Sequence, residues 1–274
     1  MNVGVLGGGR MGAGIAHAFL LAGDAVTVVE RDLDAAAAAE DRIRDSVAAS
    51  IARGIAVPDP RLTLATDAGA FEGSDLVIEA VPEDPALKRE ALARVEAVLA
   101  PAAVLASNTS SISIDALAAG LARPARFLGM HFFNPVPASQ LVELVLGTAT
   151  DPALAERARD WVRAIGKTPV TVHDAPGFAS SRLGVALGLE AIRMLETGVA
   201  SAEDIDAAMT LGYKHPVGPL RLTDLVGLDV RLGIAEYLHA ELGARFEPPA
   251  LLRRLVAEGK LGRKSGEGFY VWED

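Results

Sequence analysis

The feature that most constrains the fold is a glycine-rich turn near the start of the chain. An apolar run over residues 3–6 leads into Gly7, Gly9 and Gly12, which have the spacing G-x-G-x-x-G, and a helical pattern follows over residues 11–21. In such a turn the first glycine makes the bend, the second lets a pyrophosphate approach the backbone, and the third lets helix and strand pack closely. A strand, this turn and a helix, in that order, predict a dinucleotide whose phosphates lie at the helix N-terminus.

An acidic residue after the second predicted strand indicates which dinucleotide binds. Gly23 ends the first helix, and the apolar run 25–29 ends at Glu30, eighteen positions after Gly12, where an acid accepts hydrogen bonds from the adenosine ribose hydroxyls. A carboxylate there repels the 2′-phosphate of NADP, so the predicted cofactor is NAD. Arg31 is the competing signal, because a cation attracts that phosphate. The predicted contacts at this end of the site are Gly7, Gly9, Arg10, Met11, Gly12 and Glu30.

Composition excludes several classes of function. The 274 residues carry a formal net charge of −10, whereas non-specific binding to nucleic acid or to anionic membranes needs a basic surface. The chain has no cysteine, which excludes disulfides and thiolate metal sites, and the histidines have no spacing typical of a metal site. No apolar run is long enough to span a bilayer, and we expect no leader segment, because no basic segment precedes the first apolar run. We expect a soluble, cytoplasmic protein without a metal.

Strand and helix patterns divide the chain into two predicted domains. Residues 1–175 alternate strands and helices, which is typical of an α/β, Rossmann-type domain. Beyond residue 175 the strand signal disappears until the very end, so residues 176–274 are expected to form an all-α domain for substrate binding and dimerisation. Its first helix, predicted over residues 177–197, is apolar around most of its circumference. Such a surface is not easily covered within one small domain, so we expect a homodimer through this domain.

Start and stop signals predict two further helices. The alanine-rich, charged stretch 32–54 indicates one long helix with Asp34 as its N-cap and Gly54 at its end. In the second domain, the spacing of apolar residues predicts a single helix over residues 224–242.

One histidine and one carboxylate are candidates for chemistry. His131 and Glu143 lie twelve positions apart, each in a strand-like apolar run where an unpaired ionisable group is costly. A histidine held by a carboxylate is the usual general base for a hydroxyl proton, because the carboxylate orients the ring and stabilises the imidazolium. From the residues alone, a structural histidine and an exposed strand carboxylate remain open as alternatives.

Seven segments, in order along the whole chain, carry a resemblance to a known family. They read GGGRMGAGIA, SNTSSISI, HFFNPVP, LVELV, DAPGF, PVGPLRLTDLVGLD and GRKSGEGFY. Together they resemble the 3-hydroxyacyl-CoA dehydrogenases, especially the monofunctional 3-hydroxybutyryl-CoA dehydrogenases. The resemblance implies an NAD-dependent oxidoreductase that interconverts a short-chain (S)-3-hydroxyacyl-CoA and its 3-oxoacyl-CoA, with an acyl-CoA as substrate.

The resemblance also implies roles for the catalytic candidates. His131 would be the base, Glu143 its partner, and Ser110 would hydrogen-bond the 3-oxygen of the substrate beside the cofactor. The family motif G-F-x-x-N-R reads GFASSR here, so Ser181 replaces an active-site asparagine. A shorter hydroxyl therefore stands where relatives carry an amide.

Other matching positions imply contacts with the cofactor and with CoA. Asn134 would lie beside the nicotinamide, and Glu83, Lys88 and Lys264 match positions that line the cofactor site. Arg53 stands where relatives often carry a basic residue for the CoA phosphates, although the connection 53–61 is abbreviated. For Lys88 and Arg53, an ordinary solvated helix face is the alternative.

Two alternative functions stay open at this point. The first is a dehydrogenase for a free hydroxy acid, of the L-gulonate 3-dehydrogenase type. The second is a non-catalytic NAD(H)-binding protein, which is favoured only if Ser181 and the shortened connection have abolished turnover.

Overall fold

A mainly parallel sheet forms the centre of the N-terminal unit, Met1–Ala175, in a computed structural model that describes residues 1–57 and 60–273. Within these ranges the sheet has eight strands in the order β3-β2-β1-β4-β5-β6-β7-β8. The strands are β1 (Asn2–Leu6), β2 (Ala25–Val29), β3 (Leu62–Ala65), β4 (Leu76–Glu79), β5 (Val104–Ser107), β6 (Phe127–Phe132), β7 (Leu141–Leu146) and β8 (Thr168–His173). Strands β1 to β6 are parallel, whereas β7 runs antiparallel to β6 and parallel to β8.

Five helices of this unit accompany the sheet in its described part. They are α1 (Arg10–Leu21), α2 (Leu33–Ala52), α3 (Pro85–Glu96), α4 (Ile114–Ala118) and α5 (Pro152–Ala164). The prediction that Asp34 caps α2 is wrong. Asp32 has an extended backbone, and its side chain accepts a hydrogen bond from the N–H of Ala35 at 2.7 Å, so Asp34 already lies in the first helical turn.

The core of the N-terminal unit explains the apolar runs of the sequence. Every residue of β4, β5 and β6 is buried, as expected for parallel strands covered on both faces. Helix α1 buries nine consecutive residues, including Ile15 and Phe19, against this sheet. The glycine turn, which follows β1, and the neighbouring strand ends are thus held by a tightly packed apolar core.

The C-terminal unit, Pro176–Asp274, is helical, in agreement with the predicted fold class. Its helices in the described part are α6 (Ser180–Glu196), α7 (Ala202–Ala207), α8 (Pro219–Val226), α9 (Leu228–Leu242) and α10 (Ala250–Ala257). The single helix predicted over residues 224–242 is wrong, because Gly227 has a φ of +106° and separates α8 from α9. That backbone conformation is one that glycine adopts readily and other residues rarely do. No helix in the described ranges combines the length and hydropathy needed to cross a membrane.

A buried carboxylate holds the last residues of the C-terminal unit. Asp224 of α8 accepts hydrogen bonds from the N–H groups of Phe269 and Tyr270 at 2.9 and 3.0 Å, and from the Trp272 indole at 2.8 Å. Asp206 of α7 accepts a further bond from the Tyr270 hydroxyl at 2.8 Å. These contacts fix the glycine-rich tail against the helices.

Candidate active site

The glycine turn has the geometry that a pyrophosphate requires. Gly7 has a φ of +92°, and a Cβ on Gly12 would lie 1.8 Å from the Gly7 carbonyl oxygen, so both positions need glycine. Gly9 is the N-cap of α1 and no side chain caps this helix, while a Cβ on Gly9 would meet nothing within 4 Å. The N–H groups of the first turn and the space in front of them therefore fit an anion.

Glu30 lies directly after β2 and beside this turn. Its carboxylate accepts hydrogen bonds from the N–H of Gly8 at 2.6 Å and from the N–H of Arg31 at 3.0 Å. The Arg31 guanidinium, the competing signal for a 2′-phosphate, pairs with Asp32 at 3.0 Å. Glu30 thus stands at the predicted position. Of the two remaining residues of the turn, Arg10 is exposed and Met11 packs against the core.

A buried ion pair lies at the end of β4. Lys88 of α3 places its Nζ 2.7 Å from Glu79 Oε1, and both side chains are almost fully buried. Glu79 also accepts hydrogen bonds from the Ser107 hydroxyl at 2.5 Å and the Val81 N–H at 2.7 Å. The solvated-helix alternative for Lys88 is therefore wrong. The sequence analysis missed Glu79, for which the available signal was an acid at the end of an apolar strand.

Glu83 follows β4, and its carboxylate accepts hydrogen bonds from the loop after β5. Its Oε1 accepts hydrogen bonds from the Thr109 hydroxyl at 2.6 Å and the Ser110 N–H at 2.9 Å, and its Oε2 lies 3.3 Å from Lys88 Nζ. Partial burial acts to raise the pKa of Glu83, but the Lys88 ammonium and these hydrogen bonds outweigh it and lower the pKa. Two predicted residues, Glu83 and Ser110, therefore contact each other and keep a carboxylate ionised at the sheet edge.

His131 and Glu143 are cross-strand neighbours in the antiparallel pair β6–β7. The distance between His131 Nδ1 and Glu143 Oε2 is 3.1 Å, and both side chains are buried. An ionised carboxylate is only an acceptor, so the contact favours the tautomer in which Nδ1–H donates to Glu143. In that tautomer Nε2 is the basic nitrogen of the ring. The exposed-carboxylate alternative for Glu143 is wrong.

Asn134 follows β6 in the exposed part of the chain between β6 and β7. The Asn134–Pro135 peptide bond is cis. The end of β6 is tied to the end of β5, because Asn108 Oδ1 accepts a hydrogen bond from the Phe132 N–H at 2.8 Å. Asn108 is a second residue that the sequence analysis missed, although it lies in the polar run after β5.

The strand order brings most of the predicted residues to one edge. Strands β1, β4, β5 and β6 are parallel neighbours, so their carboxyl ends lie side by side. The glycine turn, Glu83, Ser110 and Asn134 follow these four strands in that order. His131 is the residue before the last of β6, and its partner Glu143 lies opposite it in β7. Open α/β sheets bind ligands at this edge.

Three predicted residues belong to other elements. Arg53 is the C-cap of α2, and its Nη2 donates to the Ser50 hydroxyl at 3.3 Å. Within the abbreviated connection that follows it, Pro58 and Asp59 lie outside the described residues. Ser181 is in the first turn of α6, and Lys264 pairs with Asp229 at 2.6 Å within the C-terminal unit. The ligand contacts of these three residues remain predictions.

Residues 1–57 and 60–273 contain no group of three or more His, Asp or Glu side chains that could hold a metal ion.

Comparison with known proteins covers almost the whole chain. Residues 2–175 match the NAD binding domain of 3-hydroxyacyl-CoA dehydrogenase, and residues 177–272 match the C-terminal domain of the same family. The chain is 45% identical to a 3-hydroxybutyryl-CoA dehydrogenase of Mycobacterium tuberculosis, over 99% of this chain and 98% of that protein. It is 40% identical to the human mitochondrial hydroxyacyl-coenzyme A dehydrogenase, over 99% and 91%. The crystal structure of (S)-3-hydroxybutyryl-CoA dehydrogenase from Ralstonia eutropha superposes with a TM-score of 0.94 at 38% identity, covering 100% and 99% of the two chains.

Proposed function

Because this chain belongs to the 3-hydroxyacyl-CoA dehydrogenase family, we propose that it interconverts (S)-3-hydroxybutyryl-CoA and acetoacetyl-CoA. The family's NAD-binding domain matches residues 2–175, and NAD is the cofactor of this oxidoreductase. Relatives named as 3-hydroxybutyryl-CoA dehydrogenases support a short-chain substrate. The single observation that carries the chemistry is the buried His131–Glu143 pair at the ligand-binding edge of the sheet.

His131 acts as the general base in this proposal. The glycine turn and Glu30 would hold NAD, which would supply the hydride acceptor for C3 of the hydroxyacyl substrate. His131 Nε2 takes the proton of the 3-hydroxyl, because Nδ1 is committed to Glu143 at 3.1 Å. The carboxylate then stabilises the imidazolium, and in the reverse direction the same nitrogen returns the proton.

Ser110 and Asn134 are assigned the neighbouring contacts. The Ser110 hydroxyl hydrogen-bonds the 3-oxygen of the substrate, and Asn134 contacts the nicotinamide. In support, Glu83 accepts a hydrogen bond from the Ser110 N–H at 2.9 Å, which fixes the backbone of this residue at the strand end. From the family resemblance, Arg53 would contact a CoA phosphate, and Lys264 would contact the cofactor.

We extend the proposal to a homodimer formed through the C-terminal unit. On this unit Leu183 is 71% exposed, and Leu211 and Tyr213 are 82% and 76% exposed. Exposed apolar side chains that form a patch mark interaction surfaces, and Leu211 and Tyr213 lie in one exposed stretch, residues 211–214. Light scattering at micromolar concentration should give about twice the 28.5 kDa of one chain, and a stable monomer would exclude the dimer.

One assay separates this function from its alternatives. The full-length protein is mixed with NADH and either acetoacetyl-CoA or free acetoacetate, and the loss of NADH absorbance is followed. Oxidation with the CoA ester alone supports the proposal. Oxidation with only the free oxo acid indicates a hydroxy-acid dehydrogenase, and NADH binding without turnover indicates a non-catalytic protein. Replacing NADH by NADPH tests Glu30, because a preference for NADPH would contradict its assignment.

A further inference from the structure

Lys167 lies between α5 and β8 and directs its ammonium at one loop. Its Nζ donates hydrogen bonds to the carbonyl oxygens of Val136 and Ser139, both at 2.6 Å. Burial lowers the pKa of Lys167. In the described ranges, the hydrogen-bonding partners of the ammonium are these two carbonyls, and no carboxylate pairs with it. A partly buried cation without an acid is costly unless other oxygens accept its hydrogen bonds. The two loop carbonyls accept those bonds, so Lys167 in turn holds the loop in place.

The loop concerned, residues 133–140, joins the strand of His131 to the strand of Glu143. It is held from a second side by α1, where a Cβ on Gly14 would lie 2.8 Å from Val136 Cβ. Glycine at position 14 therefore lets the helix of the glycine turn touch Val136, which is itself buried. At the end of the loop, the Thr168 N–H donates to the Gln140 carbonyl at 2.6 Å.

These contacts fix the part of the loop that contains Asn134. Val136 is two residues after Asn134, and it is held by α1 on one side and by the Lys167 ammonium on the other. We infer that Lys167 is a positioning residue for the nicotinamide half of the cofactor, which it serves by holding the loop that carries Asn134. The inference rests on the proposed contact between Asn134 and the nicotinamide, and it assigns Lys167 no contact with any ligand.

The position of the loop predicts a selective effect on binding. NADH reaches Asn134 with its nicotinamide, whereas ADP-ribose lacks that ring and binds only through the glycine turn and Glu30. The test variant is Lys167→Met, which keeps an unbranched side chain one atom shorter and removes the charge and its donors, and Lys167→Arg is the conservative variant. Arg163→Met is the matched control, because Arg163 is an exposed cation one residue before the end of α5 that pairs with Asp160.

Equilibrium dissociation constants of NADH and of ADP-ribose are measured by calorimetry on the full-length variants. We expect Lys167→Met to weaken NADH binding about tenfold, because charge-assisted hydrogen bonds are lost, and to change ADP-ribose binding less than about twofold. Lys167→Arg should restore most of the loss, and Arg163→Met should change neither constant.

Two results would overturn the inference. If both ligands weaken equally in Lys167→Met, the residue only supports the domain as a whole, and if neither changes, the loop does not need it. Retained ADP-ribose binding also shows that the variant is folded. The measurement needs no turnover, so a wild-type protein inactive on acetoacetyl-CoA would refute the proposed function while the NADH and ADP-ribose constants still decide the role of Lys167.

Discussion

The two units of this protein treat buried charge in different ways. In the N-terminal unit, ionisable side chains at the strand ends face one another, as in Lys88–Glu79 at 2.7 Å and His131–Glu143 at 3.1 Å. Each pair joins residues from neighbouring elements at the edge of the sheet where ligands bind. A buried charge that is paired and hydrogen-bonded is far less costly than one that is left without a partner.

In the C-terminal unit, buried acids bind the backbone instead. Asp206 accepts hydrogen bonds from the N–H groups of Leu220 and Arg221 at 2.8 and 2.9 Å, and Asp224 holds the tail. Arg231 lies on the buried stripe of α9, where its Nε has no hydrogen-bond partner and no described carboxylate pairs with it. Burial lowers the pKa of Arg231 to about 10. The comparison shows that the buried ionisable side chains at the strand ends of the N-terminal unit pair with one another, whereas those of the C-terminal unit bind backbone N–H groups or lie without a described acid partner.

The largest expected effect is the loss of the histidine from its pair. His131→Ala should lower kcat by about 10² to 10⁴, because the general base is removed, and Glu143→Gln should cost less, because the base remains and only its support is lost. The affinity for NADH should change little in both. His239→Ala, in the C-terminal unit, is the control. Near-full activity of His131→Ala with acetoacetyl-CoA would end the proposed mechanism.

The ion pair at β4 should be the next most sensitive site. Lys88→Met leaves the Glu79 carboxylate buried without its cation, so the free energy of unfolding should fall by about 3–5 kcal/mol. Urea denaturation followed by circular dichroism measures this change. If the free energy of unfolding falls by less than about 1 kcal/mol, the pair is not buried as described, because exposed ion pairs contribute at most about that much.

Replacing a buried cation by methionine in the other unit should not destabilise the protein. Arg231→Met removes an unpaired buried cation and fills its place with apolar atoms, so the free energy of unfolding should stay constant or rise by about 1 kcal/mol. The two Met variants, compared in the same urea titration, test the contrast directly. A destabilisation of Arg231→Met as large as that of Lys88→Met would show that the two units treat buried cations alike.

The smallest expected effect concerns Ser181. A serine in place of the family's asparagine offers a neutral hydrogen bond, worth about 0.5–1.5 kcal/mol, and a bridging water preserves much of it. Ser181→Ala should therefore lower kcat about tenfold or less, and Ser181→Asn should be tolerated. A thousandfold loss in Ser181→Ala would assign the hydroxyl a direct catalytic role.

Part of this molecule is determined by the sequence alone, because it depends on residues that are close along the chain. The spacing of Gly7, Gly9 and Gly12, the acid at Glu30 and the change from alternating to purely helical patterns predicted the fold class and the cofactor. They require only a strand, a turn and a helix in order. The predicted N-cap of α2 and the predicted unbroken helix across Gly227 were wrong, because the backbone conformation of a single residue is not visible in a periodic pattern.

Only the tertiary structure decided which side chains meet. In the sequence, Lys88 cannot be distinguished from a solvent-exposed helix residue, and Glu79 is simply the last residue of an apolar strand. Only the packing of α3 against β4 brings the two side chains into contact. Lys167 lies 31 and 28 positions from the two carbonyls that it binds, and Asp224 lies 45 positions from Phe269. The register of β6 and β7 likewise determines that His131 faces Glu143. The physical reason is that a buried charge is stabilised or penalised by its immediate surroundings, and those come from segments that are distant in sequence.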